Sequence, residues 1–471
     1  MKRSSLSWLG LVVSAWSALA AEQLSVWPAG PCLLLDRSLV AATTNLQRSV
    51  QPPSRLPDPI ITGVEDGNVQ PYMTVVQDAL TRRFRIWYNT PRVLGSGDSS
   101  LAYMESEDGL HWQRPHRVLK EPGPIGIGAS VIDEGRDFTP AEQRFKLAWY
   151  HGGGLHVGTS PDGLDWKALA PKAVLTFNHD IVGVHWDPIH QRYLAALSSV
   201  PGSGPFKGRR IPHQSVSTDL LHWKTPWAII TPDPTAEIER GETQFYGLSA
   251  VLARGRLLVA TVKVLRDDRN CEPGQTAAEL HDAKRPFAGL GYSVIAWSRD
   301  GEHWERETQP FLDRNPQSGT WDRAMAWIDD QIIVGDFTYF YYGGYRWGHK
   351  AERFTGRQIG LAQSPRDRYV AYRAGQAEGR LRTQPARLQE AVQMTVNATV
   401  EPGSGELRVR ILDETGRVVP GFDWEDCRMV QGDRVNLPIA WKGANSTLRG
   451  KIVHFEFRLR QASLFAFDLH R

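Results

Sequence analysis

Cysteine is scarce in this chain, with three residues in 471: Cys32, Cys271 and Cys427, far apart and odd in number. They form no C-x-x-C pair, and they allow one disulfide at most, whose partners the spacing does not choose. No pair of His or Cys has metal-ligand spacing, so neither a metal nor another cofactor is expected. The P-loop, G-x-S-x-G and H-E-x-x-H patterns are also missing, which removes several enzyme classes. Excess charge is small, a formal +3. With no basic run, nucleic acid is not an expected partner. Sustained 3.6-residue apolar periodicity is lacking, so few helices are expected. Beyond the first twenty residues, no stretch approaches the ~20 apolar residues of a membrane span.

Those first residues, MKRSSLSWLGLVVSAWSALA, combine Lys2 and Arg3 with an apolar run and a small-residue Ala18-Leu19-Ala20 site. The pattern is that of a secretory signal peptide over residues 1–20. It predicts an exported protein, periplasmic or extracellular, with no membrane span.

What the chain does have is tryptophan, glycine and proline: 17, 43 and 30 residues. Four related words stand out: SEDGLHW (106–112), SPDGLDW (160–166), STDLLHW (217–223) and SRDGEHW (298–304). Each follows two β-rich runs, such as RFRIWYN and LAYME before the first word. A worn fifth unit contains FTYFYYGG and IGLAQSPRDRY. Self-similar four-strand units of this length predict an all-β fold, a five-bladed β-propeller over residues 21–375. Asp-Gly supplies the tight turn, and the tryptophan is read as a wedge between neighbouring blades.

The innermost strand of each blade lines a central funnel, and four of the five open on an acid. These are Asp66 with Glu65 beside it, Asp180, Glu242 and Asp322; the second blade opens on Gly126 and Ile127 instead. Converging carboxylates cost free energy unless they are used. Glycoside hydrolysis uses such a cluster: one carboxylic acid protonates the leaving oxygen, and an ionised partner attacks or activates water. Asp78, Asp133 and Asp187 are assigned to hairpins, and the aspartates of the repeat words to turns. His179, Arg210, His213, Gln244 and Tyr246 are further candidates for substrate contact. So are Trp347 and His349, in a YYGGYRWGHK loop expected to overhang the funnel.

These features together resemble the five-bladed propeller glycosidases of glycoside hydrolase families 32 and 43. They resemble more closely the secreted, planctomycete-type proteins described as family 32-like. The tail GELRVRILDETGRVVPGF…KIVHFEFRLRQASLFAFDL belongs to the same likeness. The resemblance implies a propeller with a catalytic Asp on blade one, a modulating Asp on blade two and an acid Glu on blade three. Asp66 then becomes base or nucleophile. The sequence departs from the pattern where blade two lacks its acid, and where N-D-P-N-G, R-D-P and E-C are missing.

From about Leu388 the runs VQMTVNATV, ELRVRIL, RVNLPIAW and KIVHFEFRLR predict a small C-terminal β-sandwich over residues 385–471. The reading that follows is an exported glycoside hydrolase acting on a plant or algal poly- or oligosaccharide. Asp66 is base or nucleophile, Glu242 general acid and Asp180 the modulator of its partners' pKa. Glu65, His179, Arg210, His213, Gln244, Tyr246, Asp322 and His349 bind substrate. Two alternatives stand: a propeller polysaccharide lyase working through His179, Tyr246, His213 or His349, and a carbohydrate-binding propeller without catalysis.

Overall fold

The computed structural model describes residues 26–66, 69–92, 98–272, 287–349, 351, 356–391 and 393–470. The signal-peptide segment, residues 1–20, lies outside them. Among the described residues no helix is long and apolar enough to cross a membrane.

The chain builds four-stranded antiparallel units whose first strands are Gln70–Gln77, Ile127–Asp133, Val182–Asp187, Thr243–Arg254 and Met325–Val334. In the fifth unit the outermost strand is borrowed from near the start of the chain: Ser54–Arg55 pairs with Ala362 and Gln363. Each first strand adjoins the next, and the fifth adjoins the first, so the strands close into a ring. This is the propeller that the repeats predict.

Side chains on these inner strands clasp the ring. Thr74 Oγ1 accepts from Val131 N at 3.1 Å, and Ser130 Oγ from Val184 N at 3.0 Å. Ser249 Oγ donates to Ile328 O at 2.7 Å, and Asp330 Oδ2 accepts from Val75 N at 2.6 Å. The step from the third strand to the fourth carries no such bond among the described residues. Gly183 occupies the place that Thr74 and Ser130 fill elsewhere.

The repeat words are scaffold. In the first, Ser106 Oγ accepts from Gly109 N at 2.9 Å, and Asp108 Oδ1 accepts from Leu110 N and His111 N at 2.8 Å. The same bonds recur around Asp162 and Asp300. Gly109, Gly163 and Gly301 take φ of 76°, 77° and 67°, and in the glycine-free third word Leu220 takes 66°. The tryptophans reach across unit boundaries: Trp112 packs edge-on against Tyr341, and Trp304 Nε1 donates to Gln214 Oε1 at 2.8 Å.

Beside the ring units the chain builds a sandwich of two sheets, to which segments near both its ends contribute. One sheet runs Gln47–Val50, Val370–Ala374, Ala462–His470, Gln393–Val400, Gly432–Ile439, with Gly30–Leu33 on Ala462–His470. The other joins Val40–Thr44 to Gly379–Thr383 and Ile452–Arg460. Residues 30–50 therefore lie in the sandwich, although the sequence division places them in the propeller. Their three strands are only 4, 5 and 4 residues long, too short to show alternation. All three cysteines are buried.

Candidate functional site

At one end of the ring the inner strands begin, and two of the adjoining segments carry the polar groups. Asp180 stands just before the third inner strand, its side chain 38% exposed. Beside it Arg210, which leads into the third strand of the same unit, makes the central contacts. Its Nε donates to His179 Nε2 at 3.1 Å, and its Nη1 donates to Gln244 Oε1 at 2.8 Å. A guanidinium has only donors, so Nε2 of His179 must hold the lone pair and Nδ1 the proton. That Nδ1 lies 2.9 Å from Asp180 Oδ1. Burial pushes the Asp180 carboxyl up, but the contact with His179 and the charge of Arg210 outweigh it and hold it below the usual carboxylate range.

The floor under Arg210 is aromatic. Its guanidinium lies 4.8 Å from the centre of the Tyr246 ring, which packs 4.6 Å from Trp327. The Tyr246 hydroxyl is 3.1 Å from His349 Nε2. Burial raises the phenols of Tyr72 and Tyr246, so both stay protonated. Arg357 joins the first unit to the fifth here, bonding Gln70 Oε1 and donating to His349 O at 3.2 Å.

Of the residues chosen from the sequence, Asp180, His179, Arg210, Gln244, Tyr246 and His349 come together. Asp66, Glu65, Asp322 and His213 lie apart. Asp66 falls on a short helix, Gly63–Asp66, rather than on a strand. It is fully buried, its two oxygens taken by Arg114 Nε and Nη2 at 3.1 Å, with Thr62 N also bonding Oδ2. Glu65 is exposed and reaches the same arginine at 3.2 Å. Asp322 is buried and holds the borrowed strand: Arg55 Nη1 and the Tyr342 hydroxyl bond its Oδ2 at 2.8 and 3.0 Å. His213 sits within the third strand of its unit, 3.1 Å from Ile211 O. Glu242 lies one residue before the fourth inner strand, exposed at the rim.

The structure also adds residues that the sequence reading passed over. Asp267, at the end of the second strand of unit four, accepts from Gln244 Nε2 at 3.0 Å. It lies 3.8 Å from Arg210 Nη1 and 4.0 Å from His349 Nδ1. Gly289, at φ 91°, passes so close that a Cβ there would stand 3.0 Å from Asp267 Oδ1. Nothing in the repeat pattern marks Asp267, because it follows a second strand, away from the starts of the inner strands.

All the inner strands line a partly open cavity of 350 Å³ within the ring. An ion pair between Lys263 and Asp329 crosses it, and Asp329 Oδ2 also accepts from Met73 N at 2.6 Å. Burial pushes Asp330 up to about 7, against hydrogen bonds from Val75 and Gln331 N–H. His185, which faces Lys263 there, is pushed down to about 4 by burial and by that lysine.

No family model matches the chain. A stretch of 147 residues, 29% of the chain, is 28% identical to an A type blood N-acetyl-alpha-D-galactosamine deacetylase of Flavonifractor plautii, and it spans only 18% of that relative's length. Among solved structures, an N-acetylgalactosamine deacetylase from F. plautii in complex with blood group B trisaccharide is similar over 69% of this chain and 97% of its own, at 15% identity and TM-score 0.44. A family 43 arabinoxylan arabinofuranohydrolase from Bacillus subtilis covers 88% and 99%, at 12% identity and TM-score 0.42. The catalytic domain of a GH62 alpha-L-arabinofuranosidase from Coprinopsis cinerea covers 67% and 98%, at 13% identity and TM-score 0.44.

Proposed function

We propose that this chain is an exported carbohydrate-active enzyme, a glycoside hydrolase, working where the inner strands begin. The observation that carries the reading is Asp180: a part-exposed carboxylate held in its charged form at the mouth of a propeller. A carboxylate in that state can attack a sugar carbon or take a proton from water. This moves Asp180 from the modulating role to that of base or nucleophile. Asp66, locked by Arg114, has no oxygen left for substrate.

A hydrolase needs a second carboxyl group to protonate the leaving oxygen. Glu242 is proposed for that role. It stands exposed one residue before the strand that carries Gln244. Arg210 would grip sugar hydroxyls there, held from below by Gln244 and Tyr246.

A glycan panel tests this. Wild-type protein should release reducing ends from one member, and Asp180→Asn should lower the rate by about a hundredfold or more, the usual scale for losing a positioned acid–base group. Turnover left intact in Asp180→Asn would reject the assignment.

The 3.1 Å contact between Tyr246 and His349 favours a second reading, a polysaccharide lyase. Both groups are shut beneath the mouth, 5% and 4% exposed. The phenol is also held in its proton-donating form, whereas a lyase base must accept. An unsaturated product absorbing in the ultraviolet would nevertheless favour the lyase. Binding without any product would leave a carbohydrate-binding propeller.

A further inference from the structure

The contacts around Arg210 form a chain with a direction. It starts at Asp267, whose Oδ2 accepts from Gln244 Nε2 at 3.0 Å. An amide that donates through its nitrogen presents its oxygen on the other side. That oxygen accepts twice from one residue, from Arg210 Nη1 at 2.8 Å and from the Arg210 backbone N–H at 3.3 Å. Arg210 is thereby turned so that its Nε meets His179 Nε2, and the proton of His179 is left on Nδ1, the nitrogen that stands 2.9 Å from Asp180 Oδ1 in a close polar contact rather than a hydrogen bond.

Each link fixes the polarity of the next. Were Gln244 flipped, its NH₂ would face the guanidinium, donor against donor, and its oxygen would face the Asp267 carboxylate. Asp267 is thus the group that decides which way the amide points. It belongs to unit four and Asp180 to unit three, and the unclasped step of the ring, at Gly183, lies between those units. One backbone bond crosses between them at the site, from Phe245 N to Arg210 O at 3.1 Å, and the relay adds to it the direction of the Arg210 side chain.

We propose that Asp267 is a positioning residue: acting through Gln244 and Arg210, it sets the tautomer of His179 and the charge state of Asp180. The inference rests on the reading of Asp180 as the working carboxylate, but its test does not need a substrate. The groups facing Asp180 are His179 and Arg210 from its own unit, Tyr72 from unit one and Tyr246 from unit four. The two phenols stay neutral, so Arg210 is the permanent cation among them.

Simple Coulomb reasoning and the relay predict opposite signs. Removing the negative charge of Asp267 makes the surroundings more positive, which on charge alone lowers the Asp180 midpoint. Loss of the relay frees Arg210 from its place, and the midpoint rises.

The experiment is a pH titration of the folded, ligand-free protein by carbon-13 NMR of aspartate carboxyls, with nitrogen-15 spectra of histidine. Wild type should show Asp180 below the ordinary value of about 3.9 and His179 protonated at Nδ1. In Asp267→Leu and in Gln244→Met, the Asp180 midpoint should rise by about half a unit or more, and His179 should become a mixture of tautomers. Gln244→Met leaves every charge in place, so a rise there isolates the relay from the field of Asp267. Folding is checked by the near-ultraviolet spectrum, and should Asp267→Leu not fold, Gln244→Met decides alone. An Asp180 midpoint that falls or stays, with the His179 tautomer unchanged, overturns the proposal. If no glycan is cleaved by wild type, the hydrolase reading fails while these titrations still judge the relay.

Discussion

Arg114 grips Asp66 with two nitrogens, each 3.1 Å from a carboxylate oxygen, and the aspartate is wholly buried. The pair ties the repeat turn of the first unit to the helix that leads into its inner strand. A carboxylate so placed is a structural anion. Removing its partner would strand a charge out of water.

Arg114→Ala should therefore destabilise the fold by about 3 kcal/mol, the scale for orphaning a buried carboxylate. Denaturant titration measures it. Asp66→Asn should cost less, because an amide keeps one acceptor and brings no charge. Turnover per folded molecule should survive in Asp66→Asn. A large fall in kcat with unchanged stability would return Asp66 to the catalytic group.

Asp330 gives the stability of the ring a dependence on pH. Burial raises its carboxyl to about 7, so between pH ~4 and 7 the folded state keeps a proton that the unfolded chain releases. The contribution is fully present below pH ~4 and is lost as pH rises through 7. Urea midpoints measured from pH 4 to 8 should fall across that window, by no more than one proton's slope, about 1.4 kcal/mol per pH unit. The same series on Asp330→Asn should be flatter. An equal slope in the variant would place the titration elsewhere.

The repeat words made the unit boundaries legible, because a turn closed by Ser and Asp side chains is a local device that sequence records directly. Asp180 was legible for the same reason: counting back from SPDGLDW and STDLLHW finds the strand that it precedes. Asp66 was misplaced because the count assumed a strand where Gly63–Asp66 makes a helical turn, and one turn redirects a carboxylate completely. Asp267 was invisible because its role depends on a neighbour from another strand, Gln244, and pairing between strands leaves no trace in a linear pattern. The short strands of residues 30–50 were missed likewise, since their partners stand more than three hundred residues away.

On the proposed role of Asp180, its charged form sets the acid side of the pH profile. Its carboxyl is held below the usual carboxylate range, chiefly by His179 and Arg210 acting against burial. With a substrate in hand, the acid limb of kcat/KM should fall below pH ~4, since that limb reports the base of the free enzyme. Arg210→Met removes the cation without removing stem volume, and the limb should move to higher pH. A limb that stays in place would mean that the titrating base is another group.

The third repeat word sets two costs against each other at Leu220. A residue with a Cβ at φ 66° pays roughly 1–2 kcal/mol for the left-handed conformation, which the glycines of the other words avoid. Leu220 is also 1% exposed, in the core between the second and third units with Val157, Tyr193 and Leu197. Deleting a buried leucine side chain costs about 2–5 kcal/mol once the cavity is counted. Packing is the larger quantity, so Leu220→Gly should destabilise the protein by about 1–3 kcal/mol even though it relieves the backbone. The converse change, Gly163→Leu in the second word, should fail on both counts: φ is 77°, and a Cβ there would stand 2.8 Å from the Trp87 ring. Thermal unfolding of the two variants gives the comparison. A Leu220→Gly protein more stable than wild type would show that strain, and not burial, governs this turn.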